Sequence, residues 1–86
     1  GAIMHSHSIR AYLGESQISE SLGKIQEDFS SLDIGSYPFL LDNRYGTMLV
    51  IRGADKKLIT NAAERINNII VEKGETPEDL GLDIDT

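Results

Sequence analysis

The sequence has no cysteine and no tryptophan, and only two prolines and two histidines in 86 residues. Without cysteine there is no disulfide framework, no zinc–thiolate site and no thiol nucleophile, and the cytoplasm is the expected compartment. No apolar run approaches the ~20 residues that a membrane-spanning helix needs. Residues 1–13 lack the continuous apolar stretch of a secretory signal. Neither a G-x-G-x-x-G turn nor a Walker lysine loop occurs, so the common phosphate cradles are excluded. Basic side chains are scarce as well, 8 against 14 acidic, for a formal net charge of −6. That balance argues against a domain built to neutralise phosphates. What remains is a chain 40% hydrophobic and of one-domain length, enough for a single small core.

Periodicity divides the chain into elements. Residues 1–7 read as a tag remnant or disordered lead, although alternation begins at His5. Ile9, Ala11 and Leu13 fall on one face of a half-buried strand. Gly14 ends it, and Glu15, Ser16 and Gln17 supply helix-start chemistry. Ile18, Leu22, Ile25 and Phe29 then form an apolar helical stripe interrupted only by Gly23. Leu32 to Leu41 is a second strand, placed at a sheet edge by Pro38, which donates no ladder hydrogen bond. Asp42-Asn43-Arg44-Tyr45-Gly46 is turn chemistry. Thr47 to Arg52 is a third strand, apolar on both faces as a central strand would be. Asp55 is placed to cap a second helix that carries Leu58, Ile59, Ala62, Ile66, Ile69 and Ile70, with Gly74 as its stop. Beyond it, residues 75–86 form an acidic C-terminal tail whose Leu80, Leu82 and Ile84 alternate, consistent with a fourth strand, a helical turn or a flexible segment.

The order strand, helix, strand, strand, helix predicts an α+β two-layer sandwich over residues 8–74. Its sheet is a mixed three-stranded split βαβ arrangement with the third strand between the first two. Both helices then cover one sheet face, so either Met48 and Val50 or Leu49 and Ile51 point outward. Ile9, Ala11, Leu13, Ile18, Leu22, Ile25, Phe29, Leu58, Ala62, Ile66 and Ile69 are the expected core.

Candidate chemistry is thin. His5 and His7 share a strand face, but two imidazoles without a third ligand make no zinc site. The carboxylates Glu72, Glu75, Glu78, Asp79, Asp83 and Asp85 match no calcium loop and read as a solvated acidic terminus. Ser16, Ser19, Ser21, Ser30, Ser31 and Ser36 have histidine partners only at the frayed N-terminus. Arg44, Arg52, Lys56 and Lys57 are the one basic concentration, able to receive an anion at the second helix's N-terminus or to be plain solvated loop charges. Tyr37 and Pro38, with Met48, Leu49, Val50 and Ile51, are the candidate interface. The Tyr37–Pro38 bond is a candidate for the cis isomer.

The segment Gly14-Glu15-Ser16, the stretch Ile34-Gly35-Ser36-Tyr37-Pro38 and the strand Thr47 to Gly53 resemble a specific family over residues 8–72. They are similar to the domain that follows the molybdopterin-binding domain in competence/damage-inducible CinA-family proteins. Tyr12 stands where that family's first glycine stands. Gly35-Ser36-Tyr37-Pro38 is also similar to the corresponding segment of eukaryotic FAD synthases. The resemblance implies a KH-like α+β accessory domain of a larger cytoplasmic protein, its catalysis lying in neighbouring domains. It carries over no catalytic residue and implies no cofactor in this segment. The chain has no G-x-x-G loop, which speaks against RNA binding of the KH kind. The function expected is thus a non-catalytic packing or oligomerisation module, partnered by a molybdopterin-binding-like domain or by a second copy, with no membrane or nucleic-acid partner. The alternative is a nucleotide- or nucleic-acid-binding module using Arg44 to Lys57.

Overall fold

The chain, described for residues 2–85 in a computed structural model, follows the order β1 (His5–Ala11), α1 (Glu15–Asp28), β2 (Asp33–Leu41), β3 (Arg44–Gly53), α2 (Lys56–Glu72), β4 (Glu78–Ile84). The strands form one sheet in the order β2-β3-β1-β4, every neighbouring pair antiparallel. This is the split βαβ topology of the ferredoxin-like class. One part of the sequence reading is corrected: the sheet is not mixed, because β3 sits between β1 and β2, so those parallel strands never touch. Of the three forms left open for residues 75–86, the structure shows the fourth strand, β4. The lead is also shorter than expected, since β1 starts at His5 and the Asp85 amide donates to the Met4 carbonyl at 2.9 Å.

Local chemistry explains each boundary. At α1 the Gly14 amide donates to the Gln17 side-chain oxygen at 2.7 Å, so Gln17 does the capping expected of this stretch. The end of α1 is tied to β2 by Gln26. Its amide nitrogen donates to the Leu32 carbonyl at 2.7 Å, and its oxygen accepts from the Ile34 amide at 2.9 Å. Asp42 and Asn43 both take positive φ (52° and 63°), giving a two-residue hairpin whose twist matches the strands it joins. The Asp55 carboxylate caps α2, accepting from Lys57 and Leu58 at 2.9 and 3.2 Å, and Gly74 at φ 86° closes it. In β4 the register slips at Ser8/Ile9, and Gly81 (φ 84°) provides the backbone this bulge requires. Pro38 lies on β2, an edge strand, as its missing donor demands. The Tyr37–Pro38 bond is trans.

The core lies between the sheet and both helices. Of the expected residues, Ile9, Ala11, Leu13, Ile18, Ile25, Ala62 and Ile66 are buried, while Leu22, Phe29, Leu58 and Ile69 pack partly buried against them. Leu32, Leu49, Ile51, Ile59, Ala63 and Ile70 complete it. The choice left open for β3 is resolved: Leu49 and Ile51 face the helices and are fully buried, so Met48 and Val50 belong to the other face. Among the described residues the one buried polar residue, Thr47, is satisfied by donating to the Leu13 carbonyl at 2.7 Å.

Candidate functional site: an open sheet face of arginines over aromatic rings

The antiparallel register sorts side chains by face. Opposite the helices lie Arg10 and Tyr12 on β1 and its end, Gly35, Tyr37 and Phe39 on β2, and Arg44, Gly46, Met48, Val50 and Arg52 on β3. Two glycines shape this face. A Cβ on Gly35 would meet the Tyr37 ring at 2.9 to 3.2 Å, and one on Gly46 would meet the Phe39 ring at 2.4 Å. Both rings therefore lie down over glycine backbone instead of standing off the sheet. Phe39 reaches across β3 to meet Tyr12 edge-on, centroids 5.6 Å apart.

Each ring on this face carries a guanidinium. Arg44 stacks on Tyr12 at 3.8 Å, Arg10 lies 5.7 Å from the Phe39 centroid and Arg52 lies 5.9 Å from that of Tyr37. Arg52 also donates to the Tyr37 hydroxyl at 3.2 Å and pairs with Asp85 at 3.4 Å. The hydroxyl bond first, then the Asp85 and Asp33 charges, hold the Arg52 guanidinium above its ordinary pKa against the cost of burial. Arg10 pairs with Glu78 of β4. Among the described residues Arg44 has no carboxylate within ion-pair distance. No enclosed cavity occurs among the described residues.

The basic concentration expected from sequence is taken apart by this geometry. Arg44 and Arg52 sit at opposite ends of β3, eight residues and roughly 26 Å apart at strand rise. Lys56 and Lys57 lie in the first turn of α2, where the Asp55 side chain takes the Lys57 and Leu58 amides. Arg44 is thus parted from Arg52. The candidate interface is divided likewise: Tyr37, Met48 and Val50 share the open face, whereas Leu49 and Ile51 belong to the core and Pro38 points to the helix side. Sequence reading passed over Tyr12, Phe39 and Arg10. The available signal was alternation: Arg10 and Tyr12, like Tyr37 and Phe39, are same-face pairs two residues apart.

A second polar cluster lies on the helix side. His7 donates from Nε2 to Asp79 at 2.6 Å, Asn67 of α2 donates to the same carboxylate at 3.0 Å, and the Gly81 amide adds a third bond at 2.8 Å. Burial pushes the Asp79 carboxyl up, but these donors outweigh it and hold it below the usual carboxylate range. Nδ1 of His7 and Oδ1 of Asn67 are buried without partners. His5 and His7 gather no third ligand: among the described residues no three His, Asp or Glu side chains converge as a metal site requires. No helix among them is long and apolar enough to cross a membrane.

Comparisons with known proteins agree with the topology and supply a family. Among solved structures, the de novo designed protein Foldit4 superposes with a TM-score of 0.67 at 20% identity, over 100% of this chain and 98% of that one. At that identity the likeness concerns the fold alone. No curated protein matches the sequence significantly. Residues 3–79 match the family described as FAD synthase, middle domain, which bears out the similarity carried by Gly35-Ser36-Tyr37-Pro38. With nearly the whole domain matched, this chain belongs to the FAD synthase middle-domain family.

Proposed function

We propose that this chain is a non-catalytic accessory domain of an FAD synthase-type protein, holding neighbouring domains or a second copy in place rather than turning over a substrate. The observation that carries the reading is the family match across residues 3–79 to a domain described as a middle one. The site chemistry supports it: His7 and Asn67 both donate to the one Asp79 carboxylate, and no cavity among the described residues receives a substrate. Geometry suggests where neighbours attach. β1 begins where β4 ends, so connections on either side would leave side by side from one end of the sheet. Exposed apolar side chains flank that exit: Ile3, Met4, Leu82 and Ile84. By the resemblance of the Gly14-Glu15-Ser16 helix start to CinA-family proteins, the neighbour is a molybdopterin-binding-like domain, and the setting is cytoplasmic.

The experiment has two arms. The 86-residue chain alone, given FMN, ATP and magnesium, or FAD and a divalent metal, neither forms nor hydrolyses FAD; turnover by the chain overturns the non-catalytic reading. In the longer protein that contains this domain, Leu82→Glu with Ile84→Glu separates its unfolding from that of its neighbours in calorimetry. An unchanged calorimetric profile overturns the docking margin.

A further inference from the structure

We infer that the open sheet face is a stacking platform for single-stranded nucleic acid, with Tyr37 and Phe39 receiving bases and Arg44, stacked on Tyr12, receiving a phosphate. This goes beyond the accessory role and uses other residues than the proposed docking margin.

Four observations converge on it. Gly35 and Gly46 leave room for the far ends of the Tyr37 and Phe39 rings to lean over the sheet backbone. Tyr37 is 47% exposed, an unusual setting for a large ring on a sheet whose other face holds the core. Tyr37 and Phe39 are two residues apart on one strand, about 6.6 Å. That step suits successive unstacked bases of an extended single strand and no single small ligand, and the face offers no enclosure for one. Finally, every ring is accompanied by a guanidinium, the pairing used for sequence-tolerant base stacking.

The chain's acidity does not oppose this. Residues 1–74 hold nine acids and eight bases, and the remaining five acids lie in residues 75–86, on or beside β4. That strand is one sheet edge, separated from β2 and β3 by β1. The rings of β2 thus lie away from the acidic strand, which meets the arginines at Arg10–Glu78 and Arg52–Asp85. Because Arg10 and Arg52 already pair with Glu78 and Asp85, the electrostatic share is small and stacking dominates. The expected salt dependence is shallow, a slope of log K against log salt of about −0.7 for one phosphate and no steeper than about −2 for three.

The test is titration of the 15N-labelled 86-residue chain with short oligouridine and oligoadenine, as RNA and as DNA, at low salt. Saturable shifts are expected at Tyr12, Tyr37, Phe39, Arg44 and Met48. Tyr37→Leu and Phe39→Leu keep apolar volume and remove the ring. Each weakens binding by about five- to a hundredfold, with the amide spectrum of the free protein still dispersed. Lys56→Ala with Lys57→Ala leaves binding unchanged. The inference is overturned by any of three results: no saturation at millimolar oligonucleotide, equal binding by both leucine variants, or the same face shifting with a proline-rich peptide and not with oligonucleotides.

Discussion

Replacing Asp79 by alanine probes a polar group that ties three elements together. Its carboxylate joins three elements: β1 through His7, α2 through Asn67, and the β4 bulge through the Gly81 amide. Each hydrogen bond contributes about 1 kcal/mol net. The Asp79 side chain is 39% exposed, so water replaces part of what is lost. The expected cost is therefore about 2 kcal/mol, a sizeable part of the ~5–15 kcal/mol stability typical of a domain. For a chain of this size that corresponds to a midpoint lowered by roughly 10 °C. The folded-state pKa of Asp79 lies below the unfolded value, so its stabilisation is complete above the unfolded carboxylate pKa of about 3.9. It fades as pH falls through the folded value. Urea denaturation followed by circular dichroism at neutral pH and again near pH 3 measures both effects. The gap between wild type and variant is full at neutral pH and narrows in acid. A gap below about 0.5 kcal/mol at neutral pH, or one that persists unchanged in acid, refutes the assignment of Asp79 as an ionised clasp.

Three further substitutions follow from the geometry. Gly23→Ala stabilises by about 1 kcal/mol in chemical denaturation, because a Cβ there meets nothing within 4 Å and the helix gains propensity. Asp55→Ala costs about 1 kcal/mol in the same assay by freeing the Lys57 and Leu58 amides. Gly46→Ala costs about 1–3 kcal/mol and alters the near-ultraviolet tyrosine signal. Its Cβ would meet the Ala11 carbonyl at 2.5 Å as well as the Phe39 ring that packs on Tyr12.

Where one periodicity governed a segment, the sequence was enough. The helical stripe of Ile18, Leu22 and Ile25 and the alternation of Ile9 and Ala11 each bury what they predict. β3 was legible as a central strand for the same reason, yet its inward face was not. Val50 and Ile51 are equally apolar, and only pairing with β1 and β2 decides between them. β4 was ambiguous because Leu80, Leu82 and Ile84 alternate among acids and Gly81 in a segment that fits a strand, a turn or a tail equally, and all three side chains stay exposed in the fold. The open face was the least legible feature. Its rings come from β1 and β2, distant in sequence, and what lays Tyr37 and Phe39 down is the missing side chain of Gly35 and Gly46. Arg44 parts from Arg52 for the opposite reason: nearness along a strand is distance in space, at about 3.3 Å per residue.

The acidity of residues 75–86 acquires a structural meaning from their place at the sheet edge. An edge strand presents unpaired backbone groups that invite another chain, and charge along it opposes that pairing. β4 carries Glu78, Asp79 and Asp83, with Asp85 immediately after it. Three of these four carboxylates are also turned inward to partners on other elements: Glu78 to Arg10, Asp79 to His7 and Asn67, Asp85 to Arg52. The same charges thus hold β4 against β1 and guard its outer side, while they take up two of the three arginines that would otherwise make the open face strongly cationic. A surface balanced in this way favours contacts made by ring faces over contacts made by charge. The net charge of −6 therefore describes how the fourth strand is fastened, and says little about what the open face meets.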